Sequence, residues 1–162
     1  MNDSTQIQAN PDVPSQNPAL LPLNVFVGEW EMQASIGERT LGIGRTVFSW
    51  LEGGAFLMQR SEVESAEFPT ATILIGRDES AEEYCMLYFD SRGISRVYQM
   101  SLSEDGIWKM WREAPGFFQR FTGKISKDGN TITARWERSN SGVFWEHDFD
   151  LTYTRLEQSE EE

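Results

Sequence analysis

A single histidine, His147, stands in the run Trp145-Glu146-His147-Asp148-Phe149-Asp150-Leu151-Thr152-Tyr153-Thr154-Arg155. A neutral imidazole held among aromatic side chains can ligate haem iron, hydrogen-bond a ligand or act as a base, or it can be a structural core group satisfied by a neighbouring hydroxyl or carbonyl. The same run carries Tyr153 and Arg155; a buried arginine needs a partner, and a ligand carboxylate would serve. Odd positions are Trp, His, Phe, Leu, Tyr and Arg, and even positions are Glu, Asp, Asp, Thr and Thr. That period of two predicts a β-strand with one buried face, placing His147 inward with Trp145 and Phe149. Asp148 and Asp150 then face the other way and do not orient the ring.

Other polar residues sit in strand-like runs with no wholly apolar face. In Ala55–Glu62 and Ser95–Met100, polar and apolar residues fall on both faces, as expected where one face lines a wet or ligand-filled lumen. Arg60, Arg96, Tyr98, Gln99 and Arg112 are candidate lumen groups on this ground, each with solvent as the alternative environment. Glu62 is a candidate internal carboxylate for proton transfer. No Walker or dinucleotide glycine pattern, no paired His or Cys at zinc spacing and no Gly-x-Ser-x-Gly elbow is present, which argues against phosphate-loop, zinc and hydrolase chemistry.

The elements that must position these residues are strands. Turn signals recur at Glu52-Gly53-Gly54, Asp90-Ser91-Arg92-Gly93, Glu104-Asp105-Gly106, Ala114-Pro115-Gly116, Lys127-Asp128-Gly129 and Asn140-Ser141-Gly142. The runs between them are rich in β-branched and aromatic residues, at Trp30–Ile36, Thr46–Leu51, Ala55–Val63, Thr70–Ile75, Tyr84–Phe89, Ser95–Leu102, Ile107–Arg112, Phe117–Ile125, Thr131–Arg138 and Val143–Arg155. About ten strands joined by short loops predict an all-β, up-and-down antiparallel meander, which closure into a barrel would relieve of free edges. Pro18–Phe26 predicts a short helical turn able to plug one end of that barrel. Residues 1–17 and the acidic 157–162 are expected to be disordered tails around one barrel domain at 18–156.

Composition narrows the partners. A net charge of -12 argues against nucleic acid and acidic membranes. One cysteine allows no internal disulfide, the first residues do not read as a signal peptide, and no apolar run approaches membrane-spanning length, so a cytoplasmic protein is expected.

Phe26-Val27-Gly28-Glu29-Trp30, opening the first strand after a helical turn, resembles the Gly-x-Trp start of the calycin barrels, the lipocalins and fatty-acid-binding proteins among them. Arg155 near the end of the last strand resembles their arginine partner to that tryptophan. The chain is similar, from about Leu20 to Leu156, to bacterial calycin-like domains of unknown function and to the haem-binding nitrobindins. It departs from them: it reads longer than an eight-stranded lipocalin, and Glu31–Gly37 lacks most of the glycines that follow the tryptophan in nitrobindins. The resemblance implies a barrel that holds a small apolar or amphipathic molecule with a polar or anionic end. Trp30, Tyr98, Trp136, Trp145, His147, Phe149 and Tyr153 are the expected contacts, and Trp30 and Arg155 the expected closure. No metal and no resident cofactor is expected on this reading. The alternatives are haem held by His147, a small-molecule isomerase or cyclase working in the cavity, and a barrel with a filled interior.

Overall fold

A computed structural model describes residues 17–65 and 67–157. Apart from Asn17 and Glu157, the two expected tails lie outside the described residues. Ten antiparallel strands form a closed barrel in which every sequence neighbour is a spatial neighbour and β1 (Gly28–Ile36) pairs with β10 (Glu146–Arg155) to complete the ring. The intervening strands are β2 (Arg39–Leu51), β3 (Phe56–Val63), β4 (Ala71–Gly76), β5 (Tyr84–Asp90), β6 (Ser95–Leu102), β7 (Ile107–Arg112), β8 (Phe118–Ile125) and β9 (Thr131–Ser139). No helix among the described residues is long and apolar enough to cross a membrane.

Alternation builds the wall. Along β8, Gln119, Phe121, Gly123 and Ile125 are buried while Arg120, Thr122 and Lys124 are exposed, as a sheet with one wet face requires. β2 begins well before the Thr46 expected from sequence. Gly42 and Gly44 make its first half look like a loop, yet both lie in the ladder opposite β1, and Gly44 also opposes Val63 of β3. They are glycines because of close approach: a Cβ on Gly44 would overlap the Glu62 carbonyl oxygen, and one on Gly42 would stand 2.8 Å from a Val63 methyl.

A 3-10 helix, Pro18–Phe26, seals one end with buried Leu20, Leu23 and Phe26. The Asn17 side chain accepts from the Ala19 amide at 3.0 Å and starts the turn. Above this plug the rings are dense. Phe26 packs on Phe48 and Trp108, and Trp108 on Phe121 and Tyr153. Beside them Arg155 lies over Trp30, its guanidinium carbon 4.1 Å from the ring centroid. The Trp30 indole donates to the Phe26 carbonyl at 2.8 Å, and Arg155 donates to the carbonyls of Val25 and Val27, both at 2.7 Å, and of Gly129. Helix, first strand and last strand are thereby tied at one corner. Gly28 completes it: its φ is 130°, and a Cβ there would meet the Arg155 guanidinium at 2.8 Å.

Candidate functional site

The other end is open and the barrel is hollow beneath it. A cavity of about 580 Å³ runs down from a mouth bordered by Phe68, Arg92, Phe117 and Arg138. Its lower wall is apolar and built from flexible side chains: Met32, Ile73, Met86, Met110 and Leu151. Methionine adapts to irregular space, so this part of the lumen wall can change shape. Tyr98, Trp136 and Phe149 continue the wall upward as an aromatic belt. Tyr98 meets Trp136 edge-on with centroids 5.8 Å apart, and Phe149 meets Phe68 at 5.6 Å.

Polar groups enter this wall at defined places. On β3, Leu57, Gln59 and Ser61 alternate onto the buried face. The Ser61 hydroxyl lies 2.9 Å from Thr46 on β2 and 3.5 Å from the Gln59 amide nitrogen. Gln59 is only 4% exposed, and its Oε1 has no hydrogen-bond partner among the described residues. Exchanging the amide oxygen and nitrogen does not remove the deficit, because one end still faces Ser61 and the other faces no protein group. A buried amide oxygen left unpaired costs about 1–3 kcal/mol. Across the barrel the Tyr98 hydroxyl donates to Gln119 Oε1 at 2.8 Å. Burial pushes the Tyr98 phenol up, while Arg96 and Arg112 pull it down. Tyr153 sits deeper, and burial alone raises its phenol.

At the mouth, the Tyr88 hydroxyl donates to Asp90 at 2.8 Å, and Asp90 accepts from the Arg92 guanidinium at 2.7 Å. The Arg92 hydrogen bond, helped by Tyr88, holds the Asp90 carboxyl far below the usual carboxylate range. Burial, and then the Asp90 hydrogen bond, push the Tyr88 phenol up. This triad stiffens the β5–β6 turn beside the opening.

Of the seven ligand contacts expected from sequence, Tyr98, Trp136, Phe149 and Tyr153 line the cavity. Trp30 does not. It is fully buried at the sealed end, between Arg155 and the plug. Trp145 and His147 do not either, because the alternation of the last strand breaks. The β9–β10 register slips between His147 and Phe149, with Glu137 opposite His147 and Trp136 opposite Phe149. Asp148 is the extra residue of a bulge, and such an insertion reverses the face of everything before it. His147 therefore stands on the outer wall beside Glu137, and its Nε2 lies 2.8 Å from Asp150 Oδ1. Asp150 thus orients the ring, contrary to the expectation from an unbroken strand, while Asp148 borders the lumen. Trp145 lies under the Arg120 guanidinium at 4.1 Å, outside the barrel. Arg120 in turn grips Glu137 with two bonds at 3.0 and 3.1 Å, which lowers the Glu137 carboxyl.

The other candidates divide by strand parity. Arg60 and Glu62 pair with each other on the exterior at 3.3 Å, so Glu62 is not an internal carboxylate. Gln99 is exposed. Arg96 lines both the lumen and an outer groove at the rim, and Arg112 lines that groove. Arg155 is engaged at the sealed end, with four of its five N–H groups on three carbonyls and its face on the indole, so it does not line the cavity with Tyr153.

Gln59, Ser61, Gln119 and Tyr88 are lumen groups not singled out from sequence. Their signal was the alternation itself: Gln59 and Ser61 share a face with Leu57, and Gln119 with Phe121 and Ile125. The donor set does not fit a histidine-ligated haem. The chain's single histidine is on the outer wall, and its single cysteine, Cys85, alternates with inward Tyr84 and Met86 and so faces out.

No family model matches the chain, and no curated protein sequence matches it. Among solved structures the chain is similar to the crystal structure of Rv2717c from M. tuberculosis, with a TM-score of 0.62 at 15% identity. The match covers 88% of this chain and 99% of that one. At such identity the likeness shows the barrel and nothing about what it holds.

Proposed function

We propose that this protein is a calycin-like binding module that holds a small, mostly apolar molecule with one polar end inside its barrel. The observation that carries the reading is the hollow of about 580 Å³, walled by methionines and aromatic rings with the polar side chains of Gln59, Ser61 and Gln119 set among them. Ligand sites are mostly apolar concavities with a few placed polar groups, and small barrels not meant to hold a guest fill their interior with side chains. Here the plug half is filled by rings and the mouth half is lined by methionines and left open. Binding is the activity best supported; the inward phenols of Tyr98 and Tyr153 are raised rather than lowered and so are poorly suited to act as bases at neutral pH.

A neutral fluorescent probe tests this. In wild-type protein, 1-aminoanthracene gains fluorescence on entering the lumen and raises Tm, since a ligand of the folded state stabilises it. Ala71 is buried and borders the same cavity. Ala71→Trp fills that space, and the probe signal is lost while the protein stays folded by circular dichroism. Equal probe response in wild type and Ala71→Trp overturns the reading.

A further inference from the structure

The charge distribution specifies the polar end of the ligand, on the premise that the lumen is a binding site. In a chain of net charge -12, most arginines are spoken for. Arg45 meets Glu29, Arg60 meets Glu62, Arg92 meets Asp90, Arg120 meets Glu137, and Arg138 lies 3.8 Å from Glu146. Arg155 is held by carbonyls. Arg96 differs. It is half-buried, it borders the lumen, and no carboxylate lies within ion-pair distance of it among the described residues. Its guanidinium rests over the Phe117 ring, 5.3 Å from the centroid, which fixes it at the mouth. Arg112, also half-buried and without a carboxylate partner, adds positive potential from the next strand, felt at Tyr98.

The neighbouring polar groups complete a receptor. Tyr98 follows Arg96 on the same face of β6, and its hydroxyl is committed to Gln119 Oε1. That leaves the Gln119 amide N–H groups without an acceptor among the described residues. The acidic groups near the opening lie elsewhere. Asp90 is occupied by Arg92 and Tyr88, Glu67 comes from the β3–β4 loop, Asp148 from β10, and Glu113, which shares the outer rim groove with Arg96 and Arg112, makes no ion pair with either. A partly desolvated cation with amide donors beside it and no carboxylate at ion-pair distance has room for an anionic guest.

We propose that Arg96, braced by Phe117 and assisted by the Gln119 amide, binds the anionic head of an amphipathic ligand at the mouth, with its apolar body directed down onto Met32, Met86 and Met110. The ligand class is a monoanion such as a carboxylate on a hydrocarbon or ring skeleton. The head stays near solvent, so only the body is fully desolvated. Arg155, the other half-buried arginine without a carboxylate, is engaged by carbonyls at the sealed end, so within a strongly acidic chain the mouth favours anions over the rest of the exterior.

The test compares three probes of equal chain length by displacement of 1-aminoanthracene: dodecanoate, dodecanol and dodecyltrimethylammonium. Dodecanoate is expected to bind wild type at least about tenfold more tightly than the trimethylammonium compound, the scale of one charge-assisted hydrogen bond, and to weaken as salt rises. Arg96→Met abolishes that preference and leaves dodecanol affinity unchanged. Arg96→Lys retains part of it, and Arg135→Met, on the exposed outer face of β9, retains all of it. If dodecanoate binds Arg96→Met as tightly as wild type, the assignment of the head to Arg96 is overturned while the binding lumen stands. If none of the three displaces the dye, and the dye does not bind, both are overturned.

Discussion

Gln59 is a polar residue in a place where packing alone favours an apolar one. Its amide is buried on β3 and one of its polar atoms meets nothing in the protein. A sequence selected for stability alone would place leucine or methionine here, as it does at Leu57 two residues earlier on the same face. Gln59→Leu removes the unpaired group and adds apolar contact, so it is expected to stabilise the fold by about 1 kcal/mol in urea denaturation while weakening any ligand that satisfies the amide. A lower midpoint in urea would mean that Gln59 is satisfied in the native protein and is not held in reserve. Trp108 is a useful contrast. Its indole N–H is also buried without a partner, but it lies in the ring-packed floor, where only van der Waals contact surrounds it, so its deficit is a cost of filling the barrel base.

At the scale of elements, the sequence reveals strands more readily than faces. Turn residues and β-branched runs marked ten strands, because positive-φ glycines and strand-forming side chains are local signals. The face of the last strand was misread at its first residues for a reason no local signal carries. One extra residue, Asp148, shifts the register against β9, and Trp145 and His147 turn outward while Phe149 through Arg155 keep the expected alternation. The arginine stack on Trp145 and the Asp150 contact to His147 reward that outward placement; Arg120 is visible only once β8, β9 and β10 are side by side, and Asp150 reaches the ring only because the bulge puts the two on one face. The early half of β2 was missed because glycine argues against strand locally, whereas here it permits two chains to approach. The same geometry makes a prediction. Gly44→Ala pushes a methyl into the Glu62 backbone and should destabilise the protein by about 1–3 kcal/mol, read as a lower urea midpoint. Gly76→Ala, whose new methyl would face only the movable Phe56 ring at 3.3 Å, should cost less. Equal costs would show that β2 and β3 are not held at the described separation.

For the molecule as a whole, the meander and its seam have different physics. Nine of the pairings join strands adjacent in sequence, each closing a short loop. The tenth, β1 with β10, brings Trp30 opposite Arg155 across more than a hundred residues. Loop-closure entropy grows with separation, so hairpins form before the ring shuts and the seam is expected to be absent from the folding transition state. The corner at Arg155 then acts as a latch, with the guanidinium joining Val25, Val27 and Gly129 to the Trp30 face only after closure. Arg155→Met keeps apolar cover over the indole but leaves those carbonyls without their donor, a loss of about 3 kcal/mol by analogy with charged hydrogen bonds. If the seam closes late, nearly all of that loss falls on unfolding: the unfolding rate rises about a hundredfold and the folding rate is unchanged. Stopped-flow folding and unfolding in urea measures both limbs. A folding rate that falls in step with stability would show that β1 and β10 meet early, and that the ring is nucleated at its seam instead of being locked there.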